Sequence, residues 1–589
     1  MQYSELVTVY EQLYKTKKRL EKTQCLSEFF TRISTEEMER ILILLQGRVF
    51  PQYDTQKIGV AARLVLKAIS ASTGISVEEL ENNWRDIGDL GEVCAKAIQR
   101  KKQVTLAVVE LTTDKVFENI QKLALMEGAG TVDRKVGLIA ELLTSAKPAE
   151  AKYIVRTLLE DLRVGLGEGT LRDAIVWAFF GNLIGLSYDK EKNELVLRDD
   201  NRILYEKYSI IVQEAQDISN DFAFVANIAK MQGEEGLKKI ALVVGRPVKV
   251  MLAQKVKTIQ EGFDTVGKPA AVEYKYDGFR MLIHKDKGIL RLYTRKLEDV
   301  TTQFPDVVSF VTEHVWGDSY IIDCEAVGYS SKSGRYLPFQ EISQRIRRKY
   351  DIVRVAKEFP VEVNIFDILF YEGDNLLKTP FSERRKILEK HVKQETKKII
   401  LAKQIITESV EEAQNFYKTA TDAGNEGVMF KNLEAPYKPG SRVGFMVKLK
   451  PVMDMLDLVI VGAEWGEGKR SGWLTSFTVA CRDEESNELK EVGKVATGLK
   501  EKDEEGVSFN QLTELLKPLV ISEKGKDIRV KPEIVIEVSY EEVQQSKAYD
   551  SGFALRFPRF ARLRNMERSV DDINTITDVE DLFYGQKKR

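Results

Sequence analysis

The sequence predicts a multidomain protein in which an all-α region precedes an α+β domain and an all-β domain. Three observations support this order. The 589 residues exceed what a single hydrophobic core usually organises. Apolar residues recur at helical spacing through roughly the first 220 residues, and β-rich runs become frequent only after residue 245. The pattern changes again near residue 450, where short strands separated by Gly-rich and charged turns begin.

The first 220 residues are predicted to be helical. Met38–Leu45 and Ala61–Ile69 place apolar residues one helical turn apart. Ser34 with Glu37 and Ser76 with Glu79 have the spacing of capping boxes, and each precedes such a run. We expect an all-α domain over residues 1–220 and a linker over residues 221–246.

Residues 247–450 are predicted to form an α+β domain built on antiparallel sheets. Helical patterns at Phe381–Gln394 and Val410–Ala423 interrupt a series of short β-rich runs. The runs are Ala271–Tyr274, Met281–His284, Ile289–Thr294, Tyr320–Val327, Val361–Phe370 and Gly427–Phe430.

Residues 451–589 are predicted to form a small all-β barrel of the OB type, followed by a C-terminal tail. About five strands in about 120 residues, divided by turns, are typical of that architecture. The clearest strands are Leu456–Ala463, Trp473–Cys481, Glu491–Thr497 and Ile534–Tyr540.

Composition excludes several classes of protein. The longest apolar run, residues 174–186, is shorter than the ~20 residues of a membrane span, and the N-terminus lacks an apolar signal core. We therefore expect a cytoplasmic protein with no membrane partner. The four cysteines are far apart and the three histidines lack metal-ligand spacing, so a bound metal would use oxygen ligands, which favours Mg²⁺. The net charge of −2 argues weakly against nucleic acid, but 89 basic residues allow basic faces.

The segment Lys275-Tyr276-Asp277-Gly278 is the first candidate for chemistry. Taken alone, it is explained as well by a turn after a strand, because Asp-Gly is a common hairpin signal. Further fragments that follow it in order favour a functional site. They contain Arg295, Glu325, Phe366, Glu426 with Lys431, Lys448 with Lys450 on one strand face, and Arg556–Arg559 followed by Arg562 and Arg564.

The chemistry of these residues converges on nucleotide transfer. A lysine that attacks an α-phosphate must be unprotonated, and nearby cations such as Arg280, Lys448 and Lys450 favour the neutral amine. Carboxylates such as Glu325 can hold Mg²⁺, and an aromatic ring such as Phe366 can stack on a purine. The sequence has no GxxxxGK[ST] loop, so side-chain cations would bind the phosphates.

In this order the motifs resemble those of the covalent nucleotidyltransferase superfamily and, more narrowly, of ATP-dependent DNA ligases of the archaeal and eukaryotic replicative type. The lack of a long N-terminal extension favours an archaeal source. The resemblance covers nearly the whole chain and includes Leu159–Ile175, Asp217–Ala226, Gly245–Ala253, Ser471–Phe477, Val492–Leu499 and Lys531–Gln544.

The resemblance implies an all-α DNA-binding domain, an adenylation domain and an OB-fold domain. It implies that Lys275 forms lysyl-AMP from ATP, with Glu273 at the adenine edge and Phe366 stacked on its face. Arg280, Arg295 and Arg442 would position the ribose and phosphates, and Glu325 and Glu426 would bind the metal and the ribose. Lys448 and Lys450 would bind the α-phosphate. Arg556 and Arg559 would orient the pyrophosphate.

The implied reaction seals 5′-phosphate/3′-hydroxyl nicks in duplex DNA through an adenylated DNA 5′ end, in replication, repair and recombination. Lys450–Asp454 would be the hinge of the barrel. Two kinds of DNA contact are expected. Phe339 and Phe557 would be wedges in the minor groove. Arg163, Arg172 and the stretch Arg345–Lys349 are candidate phosphate contacts. A solvated helix face explains Arg345–Lys349 equally well.

Two departures from the family pattern stand out. The tryptophan that many relatives carry just before the lysine pair is absent from Gly444–Val447. Thr23–Phe30 resembles a sliding-clamp motif, but its first position holds Thr23 and Gln24 is displaced by one. Phe29 and Phe30 are therefore either clamp contacts or helix core. We expect a monomer.

Alternative functions make different predictions. An mRNA-capping guanylyltransferase or an RNA ligase would use the same lysine. The helical domain and the Arg556–Arg559 ending argue against both, and neither feature is expected in a capping enzyme. An NAD-dependent ligase is disfavoured because zinc-finger cysteines are absent. A catalytically silent DNA-binding scaffold would keep the fold without taking up a labelled nucleotide.

Overall fold

The helices of the N-terminal region follow the predicted apolar periodicity. A computed structural model of the chain describes all residues except 55, 102–109, 127, 129, 199–200, 338–341, 343–344, 347, 349, 441–442, 451–454, 565–566 and 589, together with the side chains of 505 and 586–588. The described residues divide into two compact units. Met1–Val77 with Cys94–Lys450 forms the first unit, and Glu78–Val93 with Pro451–Arg589 forms the second.

Helices occupy most of the first 240 residues, which confirms the predicted helical region. Ser34 caps α3 as its sequence spacing predicts, since its hydroxyl accepts a hydrogen bond from the Glu37 N–H at 3.3 Å. The helices are α1 Tyr3–Lys15, α2 Arg19–Arg32, α3 Thr35–Leu45, α4 Ala62–Thr73, α5 Val77–Ile87, α6 Leu90–Gln99, α7 Thr113–Ala124, α8 Thr131–Ser145, α9 Pro148–Leu158, α10 Glu168–Ile184, α11 Arg202–Ser219 and α12 Phe222–Lys238.

Two features of this region differ from the sequence prediction. A hairpin of β1 (Leu186–Asp189) and β2 (Glu194–Leu197) follows α10, because Gly185 ends that helix in a left-handed conformation. The predicted linker, residues 221–246, contains α12. Asp221 starts this helix by accepting the N–H groups of Ala223 and Phe224 at 2.9 and 3.0 Å. Asp221 is a residue type that often starts a helix, but the sequence prediction assigned α12 to the linker.

Two sheets form the α+β region, and together with the helices they confirm its predicted fold class. One sheet has the order β10-β8-β7-β5-β6, with β9 beside β8, and the other has the order β11-β4-β12-β13-β3. The strands are β3 Gln254–Val256, β4 Ala270–Lys275, β5 Phe279–Asp286, β6 Ile289–Thr294, β7 Ser319–Gly328, β8 Val361–Tyr371, β9 Asp374–Asn375, β10 Ile399–Leu401, β11 Gln404–Thr407, β12 Gly427–Asn432 and β13 Met446–Leu449. The helices are α13 Ile259–Val266, α14 Pro305–His314, α15 Ile352–Glu358, α16 Phe381–His391 and α17 Val410–Asp422.

The sheets are mixed rather than purely antiparallel. β10 runs parallel to β8, and β13 runs parallel to β3. Such pairs join segments distant in sequence, so the hairpin signals used in the prediction could not reveal them. The five-stranded sheet packs Val272, Val428 and Val447 against Phe263 of α13. This packing covers one face of the sheet and leaves the other for polar side chains.

The second unit is β-rich, as predicted for the C-terminal region. A seven-stranded sheet has the order β16-β15-β14-β18-β17, with β19 joining β14 to β22, and β20 pairs with β21. The strands are β14 Leu456–Trp465, β15 Leu474–Arg482, β16 Leu489–Val495, β17 Val520–Lys524, β18 Asp527–Val530, β19 Val535–Ser539, β20 Glu542–Gln545, β21 Phe553–Arg556 and β22 Arg559–Leu563. Two helices accompany them, α18 Phe509–Leu516 and α19 Ile576–Lys588, the latter in the predicted tail. Trp84 of α5 lies in this unit, with the Lys526 Nζ 4.6 Å from its ring centroid.

Candidate active site

The five-stranded sheet brings together several of the predicted nucleotide residues. Register places Glu273 of β4 between Gln404 of β11 and Met429 of β12, and Met429 opposite Lys448 of β13. Alternate residues of a strand share a face, so Lys275 projects on the same side as Glu273. The sheet thus places the predicted nucleophile next to the predicted base-binding residue.

Lys275 lies at the end of β4, in an ion pair with Glu426. Its Nζ is 2.6 Å from the Glu426 Oε2, and the Lys450 Nζ is 2.8 Å from the same oxygen. The Lys275 side chain is 21% exposed, so the amine remains accessible. Gly427, the residue after Glu426, lets β12 lie close to β13, because a Cβ there would lie 2.1 Å from the Leu449 carbonyl oxygen. Three residues predicted from separate motifs therefore form one charged cluster.

The two acids nearest Lys275 have opposite electrostatic environments. Burial alone would raise the pKa of Glu426, but the ammonium groups of Lys275 and Lys450 outweigh burial and hold this pKa below its ordinary value. Burial raises the pKa of Glu325 to about 8, although Lys275 and Arg280 oppose the shift. Glu325 is therefore a carboxyl group whose negative charge is incompletely compensated.

Gly278 allows Glu325 to come close to the Lys275 segment. A Cβ at Gly278 would lie 2.8 Å from the Glu325 Cγ and 2.6 Å from the Ala326 carbonyl oxygen. No real Cβ tolerates such distances without movement of the backbone. The glycine of the Lys-x-Asp-Gly motif thus serves close packing of β7 rather than only a turn.

Glu273 is more buried than Lys275, and several side-chain donors contact its carboxylate. Its side chain is 2% exposed, its Oε2 is 2.6 Å from the Lys431 Nζ, and its Oε1 accepts a hydrogen bond from the Gln404 Nε2 at 3.0 Å. The Lys431 Nζ lies 4.8 Å from the centroid of the Phe366 ring. The predicted base contacts, Glu273 and Phe366, are therefore neighbours of the same buried lysine.

Lys431, Gln404 and Arg385 are site residues that sequence reasoning did not assign. The Arg385 Nη1 is 3.9 Å from the Glu273 Oε1. The sequence singled out Lys431 as one end of a short strand, but cross-strand register was needed to find its partner. Gln404 and Arg385 carried no motif that could have identified them.

Arg280 has a different environment from the one its predicted role suggests. Its guanidinium donates to both Asp323 carboxylate oxygens, at 2.6 and 3.0 Å, and to the Met251 carbonyl at 2.9 Å. Asp323 is fully buried and also accepts from the Tyr437 hydroxyl at 2.8 Å. The Arg280 guanidinium lies 5.3 Å from the Phe366 ring centroid. Arg280 thus borders the base site while compensating a buried acid.

The acids fit a magnesium ion bound together with a nucleotide. Among the described residues no group of three or more His, Cys, Asp or Glu side chains could hold a metal. Mg²⁺ commonly uses only one or two carboxylates, with water and substrate phosphates as its other ligands. Glu325 and Glu426 provide that number, and burial, which raises the pKa of Glu325, favours a further cation beside its carboxylate. The donor set therefore suits a metal that arrives with phosphate.

Arg295 follows β6 of the six-stranded sheet, whereas Lys275 ends β4 of the five-stranded sheet. Arg295 is exposed and lines a cavity of about 430 Å³. Its neighbours around the cavity include Arg48, Lys249 and Glu298. Arg442 and Phe339 lie outside the described residues, as do residues 451–454 of the predicted hinge.

The predicted phosphate contacts of the helical region already have acidic neighbours. The Arg163 Nε is 2.6 Å from the Asp161 Oδ2, and the Arg172 Nη2 is 2.6 Å from the Asp173 Oδ1. Arg345 itself is neither a phosphate contact nor part of a solvated face, whereas Arg348 of the same stretch is exposed and residues 347 and 349 lie outside the described residues. The Arg345 side chain is 1% exposed and ion-pairs with Asp306 at 2.5 Å, so it belongs to the core.

The suggested clamp motif lies on α2 with its apolar side chains turned inward. Leu26 and Phe30 are fully buried and Phe29 is 9% exposed. This placement supports the alternative that the two phenylalanines are helix core. An aromatic pair buried in this way is not available to a partner.

The barrel residues of the predicted site lie around the turn between β21 and β22. Arg556 ion-pairs with Glu542 at 2.9 Å, and Arg559 is exposed at the start of β22. Phe557 between them is 66% exposed and has a positive φ of 49°. A phenylalanine in this strained and exposed position suggests a contact role rather than a packing role.

The four cysteines are unpaired, and three of them are buried. None of the helices in the described portion has the length and apolar content to cross a membrane.

Comparisons with known proteins give matches over most of the chain. Family models match three consecutive segments: "DNA ligase N terminus" over residues 2–176, "ATP dependent DNA ligase domain" over residues 250–450 and "ATP dependent DNA ligase C terminal region" over residues 470–567. The solved structure described as "Pmar-Lig_Pre." is 16% identical, with a TM-score of 0.57 over 95% of this chain and 99% of that one, and supports the fold alone.

Full-length relatives are much more similar. The DNA ligase of Nanoarchaeum equitans is 46% identical over 100% of this chain and 99% of its own length. The DNA ligases of Thermococcus fumicolans and Archaeoglobus fulgidus are 41% and 40% identical, each over 100% of this chain and 99% of their own. Family models that span most of the chain and relatives of this identity establish the assignment. The chain belongs to the family of ATP-dependent DNA ligases.

Proposed function

We propose that this ligase seals 5′-phosphate/3′-hydroxyl nicks in duplex DNA, with Lys275 as the residue that carries AMP. The observation that supports the proposal best is the cluster of Lys275, Glu426 and Lys450 beside the buried Glu273. It provides an accessible amine, cations for a phosphate and a carboxylate for a base amino group within one sheet face. ATP is the nucleotide that this arrangement and the family assignment support.

In the first step, the Lys275 amine attacks the α-phosphorus of ATP, and pyrophosphate leaves as the nitrogen–phosphorus bond forms. Glu426 holds the amine in place, while Lys448 and Lys450 stabilise the charge on the α-phosphate. Glu325 and Glu426 would hold Mg²⁺, which supplies charge neutralisation on the phosphates when it is bound. Arg556 and Arg559 would orient the pyrophosphate.

Glu273 and Phe366 would bind adenine, with Glu273 accepting from the amino group and the Phe366 ring stacking on the base. Arg280, Arg295 and Arg442 would position the ribose and phosphates. Arg280 is already fixed against Asp323, so its contribution would come from a preorganised guanidinium.

In the later steps, AMP passes from Lys275 to the DNA 5′-phosphate, and the 3′-hydroxyl then displaces AMP to form the phosphodiester bond. The helical region would bind the duplex backbone, with Arg163 and Arg172 as contacts, while Phe339 and Phe557 would wedge beside the nick. Residues 450–454 would be the hinge about which the barrel turns between steps.

We further propose that the protein is a cytoplasmic monomer that acts in DNA replication, repair and recombination. The archaeal relatives support a replicative role. A sliding clamp, if it binds, would use a surface other than the buried side chains of α2.

A nick-sealing assay with two DNA substrates tests the proposal. Wild type with ATP and Mg²⁺ is expected to seal an ordinary nick, and Lys275→Ala is not. The same variant is expected to seal a nick whose 5′ end is already adenylated, because only the last step is then needed. Sealing of the ordinary nick by Lys275→Ala would refute the role of this lysine.

A further inference from the structure

Lys431 is a buried cation that the proposed reaction does not use. It ends the motif that begins with Glu426, and its side chain is only 7% exposed. Lysines are rarely buried unless they are paired, and the partner here is Glu273, at 2.6 Å. A lysine so deep in the site, paired with the proposed base contact, requires a functional explanation.

Register and aromatic contacts fix the position of the Lys431 ammonium. Lys431 on β12 lies opposite Ala271 on β4, so its long side chain crosses diagonally to Glu273, two residues further along the same face. The Nζ lies 4.8 Å from the Phe366 ring centroid and 4.5 Å from the Phe381 ring centroid. Both rings favour a cation at that place.

Among the described residues, the side chains that contact the Glu273 carboxylate are hydrogen-bond donors or cations. Lys431 lies at one oxygen, and Gln404 donates to the other at 3.0 Å. The Arg385 guanidinium is 3.9 Å from that second oxygen. An ionised carboxylate has about four lone-pair sites, so each oxygen can still accept another hydrogen bond. The arrangement leaves Glu273 as an oriented acceptor.

An oriented acceptor discriminates between purines at position 6. Adenine has an amino group there, which donates, whereas guanine has a carbonyl oxygen, which accepts and would be repelled. We propose that Lys431 is a positioning residue that keeps Glu273 an anionic acceptor and thereby selects 6-amino over 6-oxo purine nucleotides. The inference rests on the proposed function, in which the base lies between Glu273 and Phe366.

Removal of the Lys431 charge is expected to change nucleotide choice as well as rate. Without its cation, buried Glu273 would carry an uncompensated charge, which is relieved by rotation away from the base or by binding a proton. Both outcomes weaken acceptance from adenine and reduce repulsion of a 6-oxo group.

The test measures kcat/KM for formation of the covalent lysyl-nucleotide with three triphosphates. ATP has a 6-amino group, GTP a 6-oxo group, and purine riboside triphosphate has no substituent at position 6. Full-length wild type is compared with Lys431→Met, Lys431→Arg and a matched control, Lys418→Met, which removes an exposed charge from α17 of the same domain.

We expect Lys431→Met to lower kcat/KM for ATP roughly tenfold to a hundredfold, the value of a hydrogen bond to a charged group. Purine riboside triphosphate should lose little, so the preference for ATP over both other nucleotides should shrink. Lys431→Arg should restore most of the preference, and Lys418→Met should match wild type. In a Glu273→Gln background, Lys431→Met should have no further effect on the preference.

An equal loss for all three nucleotides would show that Lys431 is only structural and would overturn the inference. An undiminished effect of Lys431→Met in the Glu273→Gln background would overturn it as well. Because each result is a ratio between nucleotides on the same preparation, a variant that folds incompletely still gives an answer. If wild type formed no covalent adduct with ATP, the proposed function would fail instead.

Discussion

Two lysine–carboxylate pairs on the same sheet face show how similar contacts can support different tasks. Lys275 of β4 pairs with Glu426 at the start of β12, and Lys431 of β12 pairs with Glu273 of β4, each at 2.6 Å. The first pair is 21% and 17% exposed, whereas the second is 7% and 2% exposed. Burial is therefore the main difference between the two pairs.

The difference in burial corresponds to what each pair must do. Lys275 has to leave Glu426 to form a covalent bond, and solvent near the pair lowers the energy needed to separate its charges. Glu273 and Lys431 have to stay in place while nucleotides come and go, and a water-poor environment makes their separation unfavourable. The same pair of residue types is thus reactive at Lys275, the last residue of β4, and fixed at Glu273, two residues earlier on the same strand.

Glu426→Gln should have the largest effect on the reactive pair. The carboxylate holds both Lys275 and Lys450, so its loss misplaces the nucleophile and one phosphate contact together. We expect the rate of lysyl-AMP formation to fall on the order of 100-fold, which corresponds to roughly 2.7 kcal/mol of activation free energy. Rapid-quench measurement with labelled ATP tests this, with exposed Glu411→Gln on α17 as control. A change of the same size as the control would contradict the role given to Glu426.

The fixed pair should matter more for stability than the reactive pair. Lys431→Met leaves a buried carboxylate without its closest cation and should lower the free energy of unfolding by about 3–5 kcal/mol. Lys275→Met should cost less than about 1 kcal/mol, because its pair is partly exposed and Lys450 still contacts Glu426. Urea denaturation of both variants measures the difference. Equal losses would show that burial does not separate the two pairs.

Asp217 extends the comparison to a half-buried acid whose hydrogen-bond partner is the neutral side chain of Gln213. Burial raises its pKa to about 6, although a hydrogen bond from Gln213 and the more distant charge of Lys249 oppose the shift. The folded state therefore disfavours the ionised form. This penalty is absent below the ordinary Asp pKa near 3.9 and is complete only above about 6.

Asp217→Asn should consequently stabilise the protein in a pH-dependent way. The Asn side chain can still accept from Gln213 but cannot ionise. We expect a gain of about 1–3 kcal/mol in the free energy of unfolding at pH 8 and none at pH 4. Unfolding curves at the two pH values provide the test, and an equal gain at both would show that ionisation of Asp217 is not the cause.

The smallest effect is expected at an exposed pair. Lys398 lies 2.7 Å from Glu395, with side chains that are 38% and 45% exposed. Lys398→Met should leave the midpoint of thermal unfolding and the rate of lysyl-AMP formation unchanged, because water replaces the lost contact. A measurable drop in either quantity would mean that ion-pair distance, not burial, decides the contribution of a pair.

The sequence predicted the order of the domains and the residues that lie around Lys275. Apolar periodicity located most helices and strands, since it reflects burial along one element. The Lys275 cluster was found because its members lie in separate motifs with recognisable order. Gly278 and Gly427 belong to those motifs, and the structure explains both by close backbone approach.

What the sequence did not reveal depends on contacts between distant segments. The pairing of Lys431 with Glu273 requires the register of β4 with β12, which one sequence does not contain. Arg345 lies in a basic stretch that suggests a surface, yet Asp306, 39 residues earlier, pairs with it in the core. The aromatic pair Phe29 and Phe30 likewise suggested a ligand motif, although tertiary packing buries it.

The most direct test of the central claim is to locate AMP on the protein. Wild-type protein is incubated with ATP and Mg²⁺, digested, and analysed by tandem mass spectrometry. We predict AMP on the peptide that contains Lys275, bonded to that side chain. AMP on Lys448 or Lys450 would contradict the claim that Lys275 carries AMP. A preparation that seals nicks but has AMP on none of its lysines would contradict it as well.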